Sequence, residues 1–512
     1  MEEMTDENDV ATYLGQKGYS IYKKNMSVKE QHSLRDDLIV RPYVPKAPVQ
    51  PEGFAIYRES NQKIYIPRFF GINAYGEPDE VRIPKGDPID VAFNGGLRDY
   101  QTNIVNIYKK SLGVNGGGGL LEIPCGRGKT VIALNIISQL KVKTLVIVHK
   151  GFLLNQWVER IEQFLPGARV GKIQGQVIDI EDKDIVVGML QSLSMKEYPS
   201  DMFASFGLTI VDECHHISSE VFSRSLQRIV TRCMLGLSAT MQRKDGLTRV
   251  FKMFLGEIIY KEKREADDDV LVKTIQYVTN DDEFNETVYD YRGSPAYSTM
   301  ISKLCNYNRR TEFILEVIVR EMEEKSGQQI MILAQNKSVL VYLHDAIEHR
   351  NIATVGYYVG GMKEPDLKKS ETKTVIIATY AMAAEALDIK TLTTLFLVTP
   401  RTDVTQAVGR ILRVKHERPL VVDIMDSHDM FERQYQKRKK FYMQNKYKIL
   451  RTTSDNYHLG NWKIEYDPLD TSHKNKNKKK KGCGKTTDLE DEPSDRFTPK
   501  PDIPKGKCMI QL

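Results

Sequence analysis

Residues 120–130 read LLEIPCGRGKT, and the reading of this stretch decides the fold. Leu120 to Ile123 is apolar and short enough for a buried strand. Pro124 to Gly128 is a glycine-containing turn, and Lys129-Thr130 opens VIALNIISQL, an apolar run with helical spacing. Strand, glycine turn, then helix is the context that a phosphate-binding loop requires. The glycines allow backbone N–H groups to close on phosphate oxygens, and the helix N-terminus adds about half a positive charge. Lys129 is placed to reach β- and γ-phosphates, and the Thr130 hydroxyl to ligate Mg²⁺. The full pattern asks for a glycine five residues before Gly128, where this chain has Ile123. A second stretch, Gly482-Cys483-Gly484-Lys485-Thr486-Thr487, has similar letters but follows a lysine run, and no apolar helix comes after it. Context makes it a coincidence within a low-complexity tail.

At 512 residues the chain has room for two to four domains with ample core. No apolar run approaches the length of a membrane span, and the acidic, polar start MEEMTDENDV predicts no secretory signal or transit peptide. The cysteines (Cys125, Cys214, Cys233, Cys305, Cys483, Cys508) are scattered. Their spacing argues against a zinc cluster or disulfide framework and for a reducing compartment. A net charge of +6 is compatible with a polyanionic partner without demanding one.

Outward from the loop, the chain alternates strands and helices. On the N-terminal side, residues 1 to about 40 are polar and weakly patterned. Pro42, Pro45, Pro48 and Pro51 recur at every third position, as in a stiff polyproline II spacer. Phe54 to Gly76 mixes aromatics with Arg58, Lys63 and Arg68 and predicts one or two hairpins. Basic residues beside aromatics can grip single strands by stacking; the preferred reading is that these aromatics form the core of a small module. Leu97 to Gln101 begins a helix ahead of the glycine run Gly116 to Gly119. After the loop, strands are predicted at Thr144–Val148, Asp184–Val187, Leu208–Val211 and Cys233–Leu237, with a helix over Gly151–Phe164. Short apolar strands between helices indicate a parallel sheet covered on both faces. Residues 263–290 are charge-rich and read as a linker. A second alternating block follows, with strands at Gln329–Leu333, Ala353–Tyr357, Thr374–Ala378, Thr393–Val398 and Leu420–Ile424 and a helix over Lys337–Arg350. Beyond about residue 450 the pattern fades, and the lysine-rich tail is expected to be disordered.

Three motifs carry chemistry. Asp212 and Glu213 follow the strand Leu208–Val211. A strand-terminal Asp in the same domain as a phosphate loop suits Mg²⁺ held through water, and the adjacent Glu suits orienting or deprotonating the attacking water. A solvated acidic loop is the competing reading, and the neighbouring His215 and His216 lack the spacing of a metal-binding helix. Ser238-Ala239-Thr240 ends another strand and is too common a triplet to mean anything alone. In the second block, Gln406 to Arg413 (QAVGRILR) reads as a helix with Arg410 and Arg413 three apart, hence on one face. Two guanidinium groups so placed can clamp a γ-phosphate as arginine fingers. Taken alone, a surface helix with two solvated arginines explains them as well.

The ordered set LRDYQ, PCGRGKT, VIVHKGFLLNQW, MLQSL, DECHH, LSAT and QAVGRILR, spread over residues 54–450, resembles superfamily 2 helicases and translocases. Within it, PCGRGKT, Arg243-Lys244-Asp245-Gly246 and QAVGRILR look like the XPB-type branch, closest to the transcript-release helicases of poxviruses and other large cytoplasmic DNA viruses. The resemblance implies two tandem RecA-like domains with parallel sheets, at 91–262 and 291–450, after a small β-rich N-terminal module at 1–90 and before a basic tail at 451–512. ATP and Mg²⁺ are the implied cofactors. The implied roles are Gln101 on the adenine edge with Arg98 nearby, and Cys125, Gly126, Arg127, Gly128, Lys129 and Thr130 around the phosphates. Asp212 and Thr130 would hold the metal, with Glu213 on the water and Gln406, Arg410 and Arg413 completing the site. Lys150, Gln191, Ser192, Arg243, Thr379 and Glu385 would face a nucleic-acid strand. The resemblance favours DNA, single-stranded or duplex, and 3′→5′ movement in viral transcript release or repair. RNA in a transcription complex and a polymerase or accessory factor are further candidate partners; a monomer in the host cytoplasm or virus factory is expected, with no membrane. Two departures stand out. XPB proteins have Arg-Glu-Asp where this chain has Arg243-Lys244-Asp245, and Ala386 replaces the usual glycine of the fifth motif. Two rival readings remain: an ATPase-inactive nucleic-acid-binding scaffold, and a P-loop kinase acting on a small molecule.

Overall fold

The computed structural model describes residues 10–43, 49–124, 126–199, 201–214, 219–241, 247–262, 269–385, 389–412, 414 and 416–470. The expected disordered tail beyond residue 470 lies outside these. The chain divides near Glu262 into two units. Each is an α/β unit built on one large, mostly parallel sheet, and a small sheet lies near the N-terminus.

In the first unit the sheet runs Val177–Ile178, Val170–Gln174, Ile185–Met189, Thr144–Val148, Leu208–Val211, Cys233–Ser238, Gly117–Glu122, Ile258–Lys261. All neighbours pair in parallel except the first two strands, which form an antiparallel hairpin. Thr144–Val148 is buried at every position, as helices on both faces require. The helices Lys129–Leu140 and Gly151–Phe164 bury Ile132, Ile136, Leu154, Trp157 and Ile161 against it. The strand read from Leu120 starts earlier than expected, at Gly117, and takes in three residues of the glycine run. A Cβ at Gly118 would stand 2.4 Å from the Leu255 carbonyl oxygen, so only glycine lets the chain pass there.

The weakly patterned N-terminus also folds. Strands Thr12–Gly15, Gly18–Tyr22, Arg58–Glu59, Lys63–Ile66 and Glu80–Val81 form the small sheet. The helix Arg68–Tyr75 follows where a second hairpin had been possible. The module does not have a core of its own: Leu14, Tyr19, Ile21, Ile64 and Ile66 join one apolar cluster with Leu120, Phe251 and Leu255. Arg68 is buried and donates to the Thr231 and Arg232 carbonyls at 3.1 and 2.9 Å.

In the second unit the sheet runs Val355–Tyr358, Val375–Thr379, Gln329–Ala334, Leu392–Leu397, Leu420–Asp426, Leu271–Tyr277, Lys448–Thr453, Lys463–Tyr466. Counting the strands of each parallel array in chain order, both sheets have the spatial order 3-4-2-5-6-1-7, so the second unit repeats the topology of the first. This repeat corrects the reading of residues 263–290 as a linker. Leu271–Tyr277 is an interior strand, paired on one side with Leu420–Asp426 and on the other with Lys448–Thr453. Its charged flanks and Lys273 hid it, and Lys273 is accommodated by an ion pair of 2.6 Å to the buried Glu321. The last two strands likewise extend the sheet past residue 450, into the segment expected to be tail.

Two further ion pairs lock this sheet. Arg310, fully buried, donates to both Asp426 oxygens at 2.6 and 2.9 Å and to the Val398 carbonyl at 2.8 Å. Arg438 does the same to Asp423 at 2.8 and 2.9 Å, and Tyr442 adds a hydroxyl at 2.9 Å. Arg310→Ala would strand the Asp426 carboxylate without a cation and is expected to cost about 3–5 kcal/mol in a denaturant titration. The paired replacement Arg310→Met with Asp426→Leu is expected to cost far less, because no charge is left behind.

Candidate active site

Parallel strands place all their C-terminal ends on one edge, and in the first unit the chemistry-bearing residues gather there. The strand Gly117–Glu122 leads into the glycine turn, and Gly126 and Gly128 both adopt left-handed backbone, with φ of 81° and 80°. Gly128 caps the helix that begins at Lys129, with Thr130 one residue further in. A side chain on Gly128 would lie 2.4 Å from Gln101 Nε2, which puts Gln101 against the phosphate loop. Gln101 is buried in the first turn of the helix Asp99–Ser111, and its Oε1 accepts the Arg98 N–H at 3.0 Å; the Arg98 side chain is exposed. Cys125 lies outside the described residues.

Asp212 and Glu213 leave the neighbouring part of the same edge. Glu213 adopts left-handed backbone, φ 48°, which turns its side chain away from the strand direction. Its Oε1 accepts from Lys129 Nζ at 2.5 Å. Asp212 is buried, with Oδ2 accepting the Trp157 indole N–H at 2.8 Å and Oδ1 the Glu213 N–H at 2.9 Å. Burial, and then the adjacent Glu213, push its carboxyl above the usual carboxylate range. Trp157 was not anticipated as a site residue. Its place in the run LLNQW marks it as core, and only the fold shows its indole aimed at the acid. Between these parts lies Ser238, whose hydroxyl donates to the Thr240 carbonyl at 2.6 Å and whose carbonyl accepts the Ile123 N–H at 2.9 Å. The Ser-Ala-Thr stretch is thereby tied directly to the strand feeding the phosphate loop.

A hydroxyl at the start of a helix and a carboxylate at a strand end form a hard-oxygen set that suits Mg²⁺ beside phosphates. The left-handed glycine, which a Cβ would fill, suits a polyanion approaching backbone N–H groups.

The residues expected to face nucleic acid divide differently. Lys150 caps the helix Gly151–Phe164, and partial burial lowers its ammonium below the usual lysine range. Gln191 Nε2 donates to the His149 carbonyl at 3.1 Å, Ser192 Oγ accepts the Gly175 N–H at 2.9 Å, and the Ser192 carbonyl accepts from the Tyr198 hydroxyl at 2.9 Å. These side chains fasten neighbouring loops of one edge together. Arg243 lies outside the described residues. In the second unit Thr379 ends the strand Val375–Thr379 and Glu385 ends the helix Tyr380–Glu385. The QAVGRILR segment corrects the sequence reading: its helix covers only Thr405–Val408, and Gly409 to Leu412 form turns. Gln406 is on the helix and Arg410 is beyond it, so helical spacing no longer relates Arg410 to Arg413. Arg410 is buried, its Nε donating to the Ala383 carbonyl at 2.7 Å. Arg413 lies outside the described residues.

Gly128→Ala is expected to weaken ATP binding at least tenfold and to lower the melting temperature. Adding Gln101→Ala should recover only part of the melting temperature, because the left-handed φ remains unfavourable for alanine.

Comparisons with known proteins give the family. The family model described as "Type III restriction enzyme, res subunit" matches residues 94–243. L396 of Acanthamoeba polyphaga mimivirus, described as an ATP-dependent RNA helicase, is 35% identical over 456 residues, covering 86% of this chain and 87% of that protein. Helicase 161L of Invertebrate iridescent virus 6 is 26% identical, covering 77% of this chain and 90% of its own length. QP509L of African swine fever virus (isolate Pig/Kenya/KEN-50/1950), also described as an ATP-dependent RNA helicase, is 26% identical, covering 85% of this chain and 92% of that one. Among the described residues, no helix is long and apolar enough to cross a membrane. The chain belongs to the superfamily 2 helicases of large DNA viruses.

Proposed function

We propose that this helicase is a nucleic-acid-stimulated ATPase that tracks along a DNA strand, acting in viral transcript release or repair in the host cytoplasm. The observation that carries the ATPase part is the Lys129–Glu213 ion pair at the N-terminus of the loop helix, beside the buried Asp212. In this reading Glu213 holds Lys129 in place until a nucleotide phosphate takes the ammonium over. The freed carboxylate then orients the attacking water. Gln101 and Arg98 recognise the base. Thr130 and Asp212 would hold Mg²⁺, which when bound offsets charge on the β- and γ-phosphate oxygens. Asp212 is kept from swinging towards Lys129 by its two hydrogen bonds, from Trp157 and from its neighbour's backbone. Gln406, Arg410 and Arg413 act on the γ-phosphate in the transition state, the role that makes hydrolysis depend on the second unit. Lys150, Gln191, Ser192, Arg243, Thr379 and Glu385 follow the strand, and the lysine-rich tail adds salt-sensitive affinity. An RNA polymerase or accessory factor is the class of protein partner that transcript release requires.

DNA as the tracked polymer rests on the likeness of PCGRGKT and QAVGRILR to XPB-type enzymes. A second reading, in which the strand is RNA, is favoured by the descriptions of the mimivirus and African swine fever virus relatives. Steady-state ATP turnover measured with single-stranded DNA, duplex DNA and RNA separates them. Stimulation by RNA alone would replace DNA in the proposal, and no stimulation by any of the three would leave a non-motor scaffold.

Lys129→Ala is expected to abolish stimulated turnover with an unchanged circular dichroism spectrum; retained turnover would remove the site. Arg413→Ala is expected to cut kcat on the order of a thousandfold with little change in ATP affinity. Arg410→Ala should lower both turnover and melting temperature, since it also deprives the buried Ala383 carbonyl of its donor.

A further inference from the structure

The N-terminal sheet has one face in the core and one face that no part of the proposed motor uses. Strand alternation puts Leu14, Tyr19, Ile21, Ile64 and Ile66 inward. The opposite row is Tyr13, Ser20, Tyr65 and Arg58, aligned across successive strands by the registers Tyr13↔Ser20, Ser20↔Tyr65 and Tyr65↔Arg58; Ser20 is fully buried in it, and the two tyrosines and Arg58 are half-buried. Tyr22 and Lys63 pair in the next outward row.

Each tyrosine on this face carries a cation. Lys63 Nζ lies 4.9 Å from the Tyr13 ring centre and 4.4 Å from that of Tyr22, the Arg82 guanidinium is 4.3 Å from Tyr13, and Lys17 Nζ is 5.2 Å from Tyr65. Lys63 also donates to the Tyr13 hydroxyl at 3.3 Å. The rings are half-buried, while Lys17 and Arg82 are exposed. The acids nearby are engaged: Glu80 accepts from Arg82 at 2.6 Å, and Glu59 accepts from Lys23 and Arg35, both at 2.9 Å. The face therefore combines flat aromatic surface with an excess of positive charge.

Its position is informative too. Arg58, on the edge strand, lies within electrostatic reach of Arg228 and Glu197, and burial followed by Arg228 lowers its pKa. Arg228 in turn donates to the Lys196 carbonyl and to Glu197. Lys196 directly follows the helix Leu190–Met195, which carries Gln191 and Ser192. The aromatic–basic face thus begins beside the C-terminal end of the helix that carries the proposed strand contacts Gln191 and Ser192.

We propose that the outward face of the N-terminal sheet is a second binding surface for single-stranded nucleic acid, with Tyr22 and Tyr65 stacking on unpaired bases and Lys17, Lys63 and Arg82 meeting the phosphates. Rings take bases of any sequence, and the cations beside them sit where the backbone must run. A duplex, whose bases already stack on one another, offers the phosphates but not the base faces. The inference shares with the proposed function only the assumption that the chain binds nucleic acid.

The test uses the full chain without nucleotide triphosphate and follows fluorescence anisotropy of a labelled thirty-nucleotide single-stranded DNA, the same sequence as RNA, and the DNA duplex. Tyr22→Ala and Tyr65→Ala are each expected to weaken both single strands about tenfold and the duplex much less. Tyr65→Phe should bind like wild type, since the ring is kept. Lys24 Nζ lies 5.8 Å from the Tyr22 ring centre, and Lys17→Glu with Lys24→Glu, both on exposed positions, should weaken single-strand binding and flatten its salt dependence. Basal ATP turnover without nucleic acid should be unchanged in all of them. Single-strand binding within twofold of wild type in the double tyrosine variant overturns the proposal, as does equal loss for duplex and single strand. If the tyrosine variants do not fold, the Lys17/Lys24 variant decides: unchanged affinity and salt slope overturn it. A wild-type chain that binds none of the three nucleic acids removes both this surface and the proposed function. Wild-type binding that these variants leave intact removes this surface alone.

Discussion

The ion pair between Lys129 and Glu213 is the constraint on which the first unit is built. Its partners come from positions 84 residues apart, yet they meet at 2.5 Å. Part-exposed ion pairs of this kind contribute roughly 1 kcal/mol or less to stability, so the pair is better understood as a measure of position. For it to form, the helix after the glycine turn and the strand Leu208–Val211 must end on the same edge of the sheet. One strand, Cys233–Ser238, must fit between them. The backbone at Glu213 accepts a left-handed conformation, which an L-residue adopts at some cost, to bring the carboxylate round to the lysine. Trp157 keeps Asp212 out of the competition. A tryptophan on one helix, a carboxylate on a strand and a lysine on a second helix thus fix one another.

That arrangement shows which parts of the molecule were legible beforehand. Strands buried on both faces announce themselves as short apolar runs, so Thr144–Val148 and Leu208–Val211 coincide with the prediction residue for residue. The glycine turn before Lys129 was legible because Gly126 and Gly128 answer a local demand for left-handed backbone. The misses share a different cause, since each depends on a distant partner. The glycines at 117–119 were not assigned to the strand, and the reason glycine is needed there is the Leu255 carbonyl, 2.4 Å from where a Cβ on Gly118 would be. Lys273 looks like surface until Glu321 is seen beside it. The hairpin Thr12–Tyr22 has too few apolar residues to predict a core, because Leu14, Tyr19 and Ile21 bury themselves in a cluster shared with Leu120, Phe251 and Leu255 of the first unit. The helical reading of QAVGRILR holds only for the segment Thr405–Val408, beyond which residues 409–412 form turns. Periodicity over eight residues did not reveal that.

The repeated strand order carries the argument a step further. Two units with the same 3-4-2-5-6-1-7 sheet differ in how they finish the ends of their strands. In the first, strand six ends at Ser238, a small hydroxyl bonded to its own loop, and strand one runs on into glycines. In the second, strand six ends at Asp426, sealed by Arg310, and strand one ends at Tyr277, packed edge-on against Phe284 at 5.6 Å between ring centres. A guanidinium and an aromatic cluster fill the ground that the first unit leaves to small residues. Burying a bidentate Arg–Asp pair contributes little net stability compared with apolar packing. What it does supply is a link, with Arg310 bonded to both strand ends, at Val398 and Asp426. The same topology therefore yields two units that finish the ends of their first and sixth strands in different ways.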